Sequence, residues 1–155
     1  MSGFFLSNFT NKVDKKSRVS VPSSFREVIC KDISGCSTQV FIFKSINKNC
    51  LEGSASSYVE ALNESINAMD PFSPEKDAFS TAIFGDSICL EMDADGRVLI
   101  PKSYLEYAGI KEDAFFVGKG KTFEIWSKSK FEEHLEKCRK FAVQNSAMLK
   151  WKGQA

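Results

Sequence analysis

Lys12, Lys15, Lys16 and Arg18 fall within seven residues, and Arg26 follows eight positions later. Ammonium groups hold phosphates as point charges, and a guanidinium holds them as a planar fork, so cations at this density suit an anionic partner. Asp14 stands four residues before Arg18, where a carboxylate can bridge the guanidinium and shape a turn. The charge pattern extends beyond this stretch. Residues 11–31 carry six bases against two acids, residues 52–113 carry 13 acids against four bases, and residues 128–152 carry seven bases against three acids. A formal net charge of only +1 conceals this basic head, acidic middle and basic tail. Such segregation suggests one face made for an anion; charge alone also allows a merely solvated surface.

Other chemistry finds little support. The single histidine, His134, lies in the charged helical stretch F-E-E-H-L-E-K and reads as a surface residue. Cys30, Cys36, Cys50, Cys89 and Cys138 are odd in number and contain no C-x-x-C pair, so reduced, partly buried thiols are expected. D-A-D-G at 93–96 opens like a calcium loop, but the remaining ligands of that motif are missing. No nucleophile-elbow, zinc-protease, Walker or dinucleotide motif is present. The expectation is a chain without catalysis, metal, cofactor or small-molecule substrate. No run approaches the roughly 20 apolar residues of a membrane span. The opening M-S-G-F-F-L-S-N lacks a charged n-region and a long apolar h-region, so a cytoplasmic chain is expected.

The elements that must position these cations come from an internal repeat. V-D-K-K-S-R-V-S-V-P-S-S-F-R-E at 13–27 aligns without a gap on M-D-A-D-G-R-V-L-I-P-K-S-Y-L-E at 92–106, with a constant offset of 79. Asp14/Asp93, Arg18/Arg97, Val19/Val98, Pro22/Pro101, Ser24/Ser103 and Glu27/Glu106 are identical. In each copy D-x-x-x-R reads as a turn, and Gly96 can supply a positive φ in the second. V-S-V and V-L-I read as short strands, which Pro22 and Pro101 end while opening short helices. Gly109 closes the second helix. T-Q-V-F-I-F-K and A-F-F-V-G-K-G-K-T-F-E-I-W read as later strands, with G-K-G-K as a hairpin turn. Ser57/Glu60 and Ser129/Glu132 read as capping boxes, Pro74 starts another helix, and the W-K-G-Q-A end is expected to fray. A unit of about 45 residues buries too little surface to stand alone, so the copies are expected to share one core.

The paired D-x-x-x-R segments, the A-G-I that follows the second helix, and F-F-V-G-K-G-K-T-F-E-I-W-S resemble the MraZ family, relatives of the AbrB and SpoVT regulators. The resemblance covers about residues 4–135. It implies an α+β fold: a tandem pair of swapped-hairpin AbrB-like β-units forming an intramolecular pseudo-dimer barrel with peripheral helices. The domains would be 4–54 and 85–128, with a helical linker at 55–84 and a C-terminal helix and tail at 129–155. It further implies a ring-like homo-oligomer, associated with the nucleoid, that binds double-stranded DNA at repeated sites. The expected role is repression of the cell-division and cell-wall gene cluster, its own gene included. Ser17 departs from the family's usual glycine before arginine, and a Cβ there is expected to reshape the first turn.

On this reading Arg18 is the base-reading candidate, since its fork fits guanine O6 and N7 in the major groove. Lys12, Lys15, Lys16 and Arg26 would hold phosphates, while Asp14, Asp93, Pro22, Pro101 and Gly96 would shape the motif. The family motif carries DNA contact to Arg97 as well, although Glu91, Asp93 and Asp95 around it repel phosphate. The second copy is therefore expected to serve assembly. The alternative is an AbrB-fold protein-interaction module, antitoxin-like or scaffolding, that reads no DNA.

Overall fold

The computed structural model describes residues 3–151 and 153. The fraying expected for Trp151–Ala155 falls largely outside them. The chain runs β1 (Asn8–Lys12), β2 (Arg18–Ser20), α1 (Ser23–Cys30), β3 (Gln39–Lys44), β4 (Leu51–Ser54), α2 (Ser56–Asn67), α3 (Pro74–Phe79), a π-helical turn at Ser80–Phe84, β5 (Ser87–Glu91), β6 (Arg97–Leu99), α4 (Lys102–Ala108), β7 (Asp113–Gly118), β8 (Phe123–Trp126), α5 (Lys128–Gln144) and a 3₁₀ turn at Ser146–Met148. The fold is mixed α+β with antiparallel strand pairs.

Six strands form one sheet in the order β1-β7-β8-β4-β3-β5, and β2 pairs with β6 as a separate ribbon. The order mirrors the repeat. β1 of the first copy pairs with β7 of the second, β5 of the second pairs with β3 of the first, and β4 and β8 meet in the middle. In the ribbon Val19 lies opposite Val98, its own repeat equivalent, so the approximate two-fold passes between them. The sheet is open, with β1 and β5 as outer strands; no closed barrel is found among the described residues.

Both copies feed one core. Phe5 and Phe25 from the first half meet Phe116 and Phe123 from the second, with ring centroids 5.0–6.3 Å apart. In α1, Phe25 and Ile29 are one helical turn apart and both fully buried, so a single face of a short helix enters this core. The sheet has a second side. Phe115 and Trp126 alternate away from Phe116 and Ile125 and receive Phe131 of α5. The second motif's helix ends as expected, with Gly109 at φ 67°.

Several expectations are corrected. Neither capping box forms. Helix α2 starts at Ser56, and its N-terminus is capped from a distance by Asp32, whose carboxylate accepts the Ser57 N–H at 3.0 Å and both Ser56 and Ser57 hydroxyls. Burial works to raise the Asp32 pKa, but these donors outweigh it and hold the pKa below its usual value. Helix α5 starts at Lys128, one residue before the expected cap, without a side-chain cap bond. Cys30 and Cys36 are not separate thiols but a disulfide, because Gly35 (φ 83°) and the Ser37 N–H to the Cys30 carbonyl fold the intervening loop back on itself. Cys50 is a buried free thiol, and Cys89 and Cys138 are exposed ones. His134 is half-buried rather than solvated, since its ring stacks on Trp126 at 4.8 Å.

Candidate nucleic-acid interface

The two D-x-x-x-R segments build the same turn twice. In the first, Asp14 Oδ1 accepts the backbone N–H groups of Lys16 and Arg18, each at 2.9 Å, and Oδ2 accepts Arg18 Nε at 2.9 Å. In the second, Asp93 accepts the N–H groups of Asp95 and Arg97 at 2.9 Å and Arg97 Nε at 3.0 Å. Backbone bonds from Asp14 N–H to the Arg18 carbonyl and from Asp93 N–H to the Arg97 carbonyl, both 2.9 Å, close the loops. The spacing in the motif now has a cause. A carboxylate four residues before arginine reaches the turn's own N–H groups with one oxygen and the guanidinium with the other. The Arg18 N–H, the largest influence, holds the Asp14 carboxyl below the usual aspartate value; the Arg97 N–H does the same for Asp93.

Ser17 does not reshape the first turn. It takes φ 63° against 76° at Gly96, and the hydrogen bonding is unchanged. The turns also brace each other. Val21 N–H donates to the Gly96 carbonyl and Ile100 N–H to the Ser17 carbonyl, both at 2.9 Å, so each loop is held by the strand end of the other copy. Pro22 and Pro101 then stand at the N-cap of α1 and α4 and turn the chain away.

Alternation in the ribbon sorts its side chains. Val19 and Val98 are 1% and 2% exposed and face the core, which leaves Arg18, Ser20, Arg97 and Leu99 on the outer face. Lys12, Lys15 and Lys16 are all exposed around the first turn. Asn11 Nδ2 donates to the Ser20 carbonyl at 2.7 Å, tying β1 to the ribbon.

The two copies differ electrostatically. Among the described residues Arg18 has one carboxylate partner, Asp14. Arg97 has two, Asp93 and, at 3.5 Å, Asp95. The first turn thus presents two exposed lysines beside its arginine, and the second presents acid beside its own.

Arg26 takes a different place from the other cations. Its side chain lies across Gly96, with Nη1 3.3 Å from the Asp95 carbonyl and Nε buried. A Cβ at Gly96 would sit 2.2 Å from Arg26 Nη1, so the second copy's glycine makes room for the first copy's arginine. The repeat equivalent of Arg26 is Leu105, an apolar residue. Sequence reasoning also missed Ser20 and Leu99 as members of the ribbon's outer face; the strict alternation in R-V-S and R-V-L carries that signal.

No helix is long and apolar enough to cross a membrane among the described residues. Residues 83–150 match the family described as "MraZ protein, putative antitoxin-like". Nearly the whole chain aligns with curated proteins named "Transcriptional regulator MraZ". The one from Rickettsia akari (strain Hartford) is 46% identical over 146 residues, covering 94% of this chain and 96% of that protein. Those from Rickettsia africae (strain ESF-5) and Rickettsia bellii (strain OSU 85-389) are 44% and 41% identical with the same coverage. The doubled turn, the mirrored sheet order and these full-length similarities together make the chain a member of the MraZ family.

Proposed function

We propose that this chain is a non-catalytic transcriptional regulator of the cytoplasm and nucleoid that binds double-stranded DNA with the first of its two turns. The observation that carries the reading is the asymmetry of the pair. Lys15 and Lys16 are exposed on a rigid turn beside Arg18, which shares one carboxylate, whereas Arg97 is held between two. A two-stranded ribbon fits the major groove. Arg18 on its outer face is assigned base reading, Lys12, Lys15 and Lys16 hold phosphates, and Arg26 acts indirectly by bracing the second turn.

In this reading 4–54 and 85–128 are swapped-hairpin units that complete each other, the second serving mainly in assembly, 55–84 is a helical linker, and 129–155 is a C-terminal helix and tail. One turn with a few phosphate contacts binds weakly at cellular salt, so a ring-like homo-oligomer on repeated sites gains through effective concentration. The expected targets are the sites upstream of the cell-division and cell-wall cluster, with repression as the outcome. The competing reading is an antitoxin-like or scaffolding module. It is favoured by the exposed apolar residues near the chain's end, among them Phe141, Met148, Leu149 and Trp151.

A mobility-shift series on the DNA upstream of its own gene separates the two. Arg18→Ala should weaken binding by about 1–3 kcal/mol, roughly 5- to 150-fold. Gel filtration with light scattering should show an unchanged assembly. Each of Lys15→Ala and Lys16→Ala should also reduce the log–log salt slope by about 0.9. Arg97→Ala should alter assembly or stability more than DNA contact. Unchanged DNA affinity in Arg18→Ala, with the protein folded, overturns the assignment and favours the interaction module.

A further inference from the structure

The Cys30–Cys36 pair stands outside everything assigned above. It closes the loop after α1, and three features make it more than a staple. First, it is reachable: Cys36 is exposed and Cys30 half-buried. Second, both cysteines line a cleft of about 420 Å³ between α1 and the second turn, together with Arg26, Lys31, Glu27 and Asp93. Lys31 there can pair with a carboxylate of a small peptide thiol, while Arg26 is held on the Asp95 carbonyl and Asp93 is committed to Arg97. Third, the loop does structural work at a distance. Asp32 lies inside it and holds the start of α2 through Ser56 and Ser57. Its far end is pinned to β5 and the residue after it by Thr38, through the Glu91 carboxylate and the Met92 N–H.

We infer that Cys30 and Cys36 form a reversible thiol–disulfide exchange site for low-molecular-weight peptide disulfides, whose state sets how firmly the 31–37 loop anchors α2. In oxidation, the exposed Cys36 thiolate attacks one sulfur of the incoming disulfide. A Cys36–S bond forms, the small molecule's S–S bond breaks, and one thiolate leaves and takes a proton from water. The Cys30 thiolate then attacks Cys36 Sγ, forming the internal disulfide and expelling the second small thiolate. The pair loses two electrons and two protons, and the small disulfide is reduced to two thiols. Reduction is the reverse. In a reducing compartment a pair with this access belongs to the exchanging class of disulfides.

The test uses the full-length protein equilibrated with mixtures of reduced and oxidised glutathione, quenched in acid and alkylated. Mass spectrometry of the peptide spanning residues 30–36 should show dithiol in excess reduced glutathione and disulfide in excess oxidised glutathione. The mixed-disulfide intermediate should be found on Cys36. Hydrogen exchange at residues 32–37 and at the Ser57 amide should be several-fold faster in the reduced form. Cys36→Ser, an exposed substitution, should match the reduced form in both buffers. A pair that stays dithiol, or stays disulfide, across all mixtures overturns the exchange site. Equal hydrogen exchange in the two states overturns the link to α2. Neither result bears on the DNA reading.

Discussion

Ser17 holds a left-handed φ of 63° that its repeat equivalent, Gly96, adopts without steric cost. The turn tolerates serine because Asp14 and the cross-bond from Ile100 over-determine it. The two positions should therefore respond oppositely to exchange. Ser17→Gly removes the strain and should stabilise the protein by up to about 1 kcal/mol, partly offset by the greater backbone entropy of glycine when unfolded. Gly96→Ala adds strain at φ 76° and a Cβ 2.2 Å from Arg26 Nη1 and 2.5 Å from its Cδ, so the arginine has to move along its length and not only at its tip. It should cost about 1–3 kcal/mol. Urea unfolding of the two variants checks both signs. A neutral Gly96→Ala would mean that Arg26 is not held over the second turn.

The strand pairing of the halves rests on elements that differ in how visible they are in sequence. The ribbon strands, α1, α4, β3 and the β7–β8 hairpin follow from β-branched alternation, proline placement and glycine turns, and all were legible. β1 and β5 were not. N-F-T-N-K has one apolar residue, and it is a strand because β7 lies beside it; both outer strands end just before the fifteen-residue match begins. β4 was hidden too, since L-E-G-S has no β-branched residue and is a strand because β8 lies beside it. Of the site, the Asp14–Arg18 turn and its lysines were legible because the chemistry is local. The place of Arg26 was not, because it depends on a residue 70 positions away. Gly53 shows what such tertiary constraints demand: it lies opposite Phe123 in the β4–β8 pair, and a Cβ there would fall 2.2 Å from the ring. Gly53→Ala should push the ring from the core where the two halves join and cost about 1–3 kcal/mol. The expected readout is a lower urea midpoint in far-UV circular dichroism; a wild-type midpoint would show that Phe123 has room to move.

At the scale of the whole molecule, an ion pair between buried Glu124 and half-buried Lys48 ties the halves together. Glu124 of β8 is buried, accepts the Trp126 indole N–H at 2.9 Å and pairs with Lys48 from the β3–β4 connection; Lys119 stands 3.7 Å away. Burial acts to raise the Glu124 pKa, yet the bonds from Lys48 and Trp126 and the charge of Lys119 hold it below 4.5. Burial likewise acts to lower the Lys48 pKa, and the Glu124 bond and charge reverse that and raise it above 10.5. The signs follow by linkage. Glu124 contributes stability that is complete above its ordinary value of 4.5 and lost as pH falls through its lower folded value. Lys48 contributes stability that is complete below 10.5 and lost as pH rises through its higher folded value. Lys48→Met leaves Glu124 buried with only the more distant Lys119. Removing one partner of a buried pair costs about 3–5 kcal/mol, and Lys119 should reduce this to about 2–4 kcal/mol. The pH dependence should change as well as the midpoint. With its main partner gone, the Glu124 pKa rises, so the variant should lose less stability than the wild type as pH falls from 6 to about 4. Trp126 fluorescence and circular dichroism should unfold in one coincident transition in both proteins, because Phe5, Phe25, Phe116 and Phe123 make one core from both repeats. Two separated transitions in the wild type would mean that the halves fold independently, and parallel acid limbs in wild type and variant would remove Glu124 from its place as their electrostatic join.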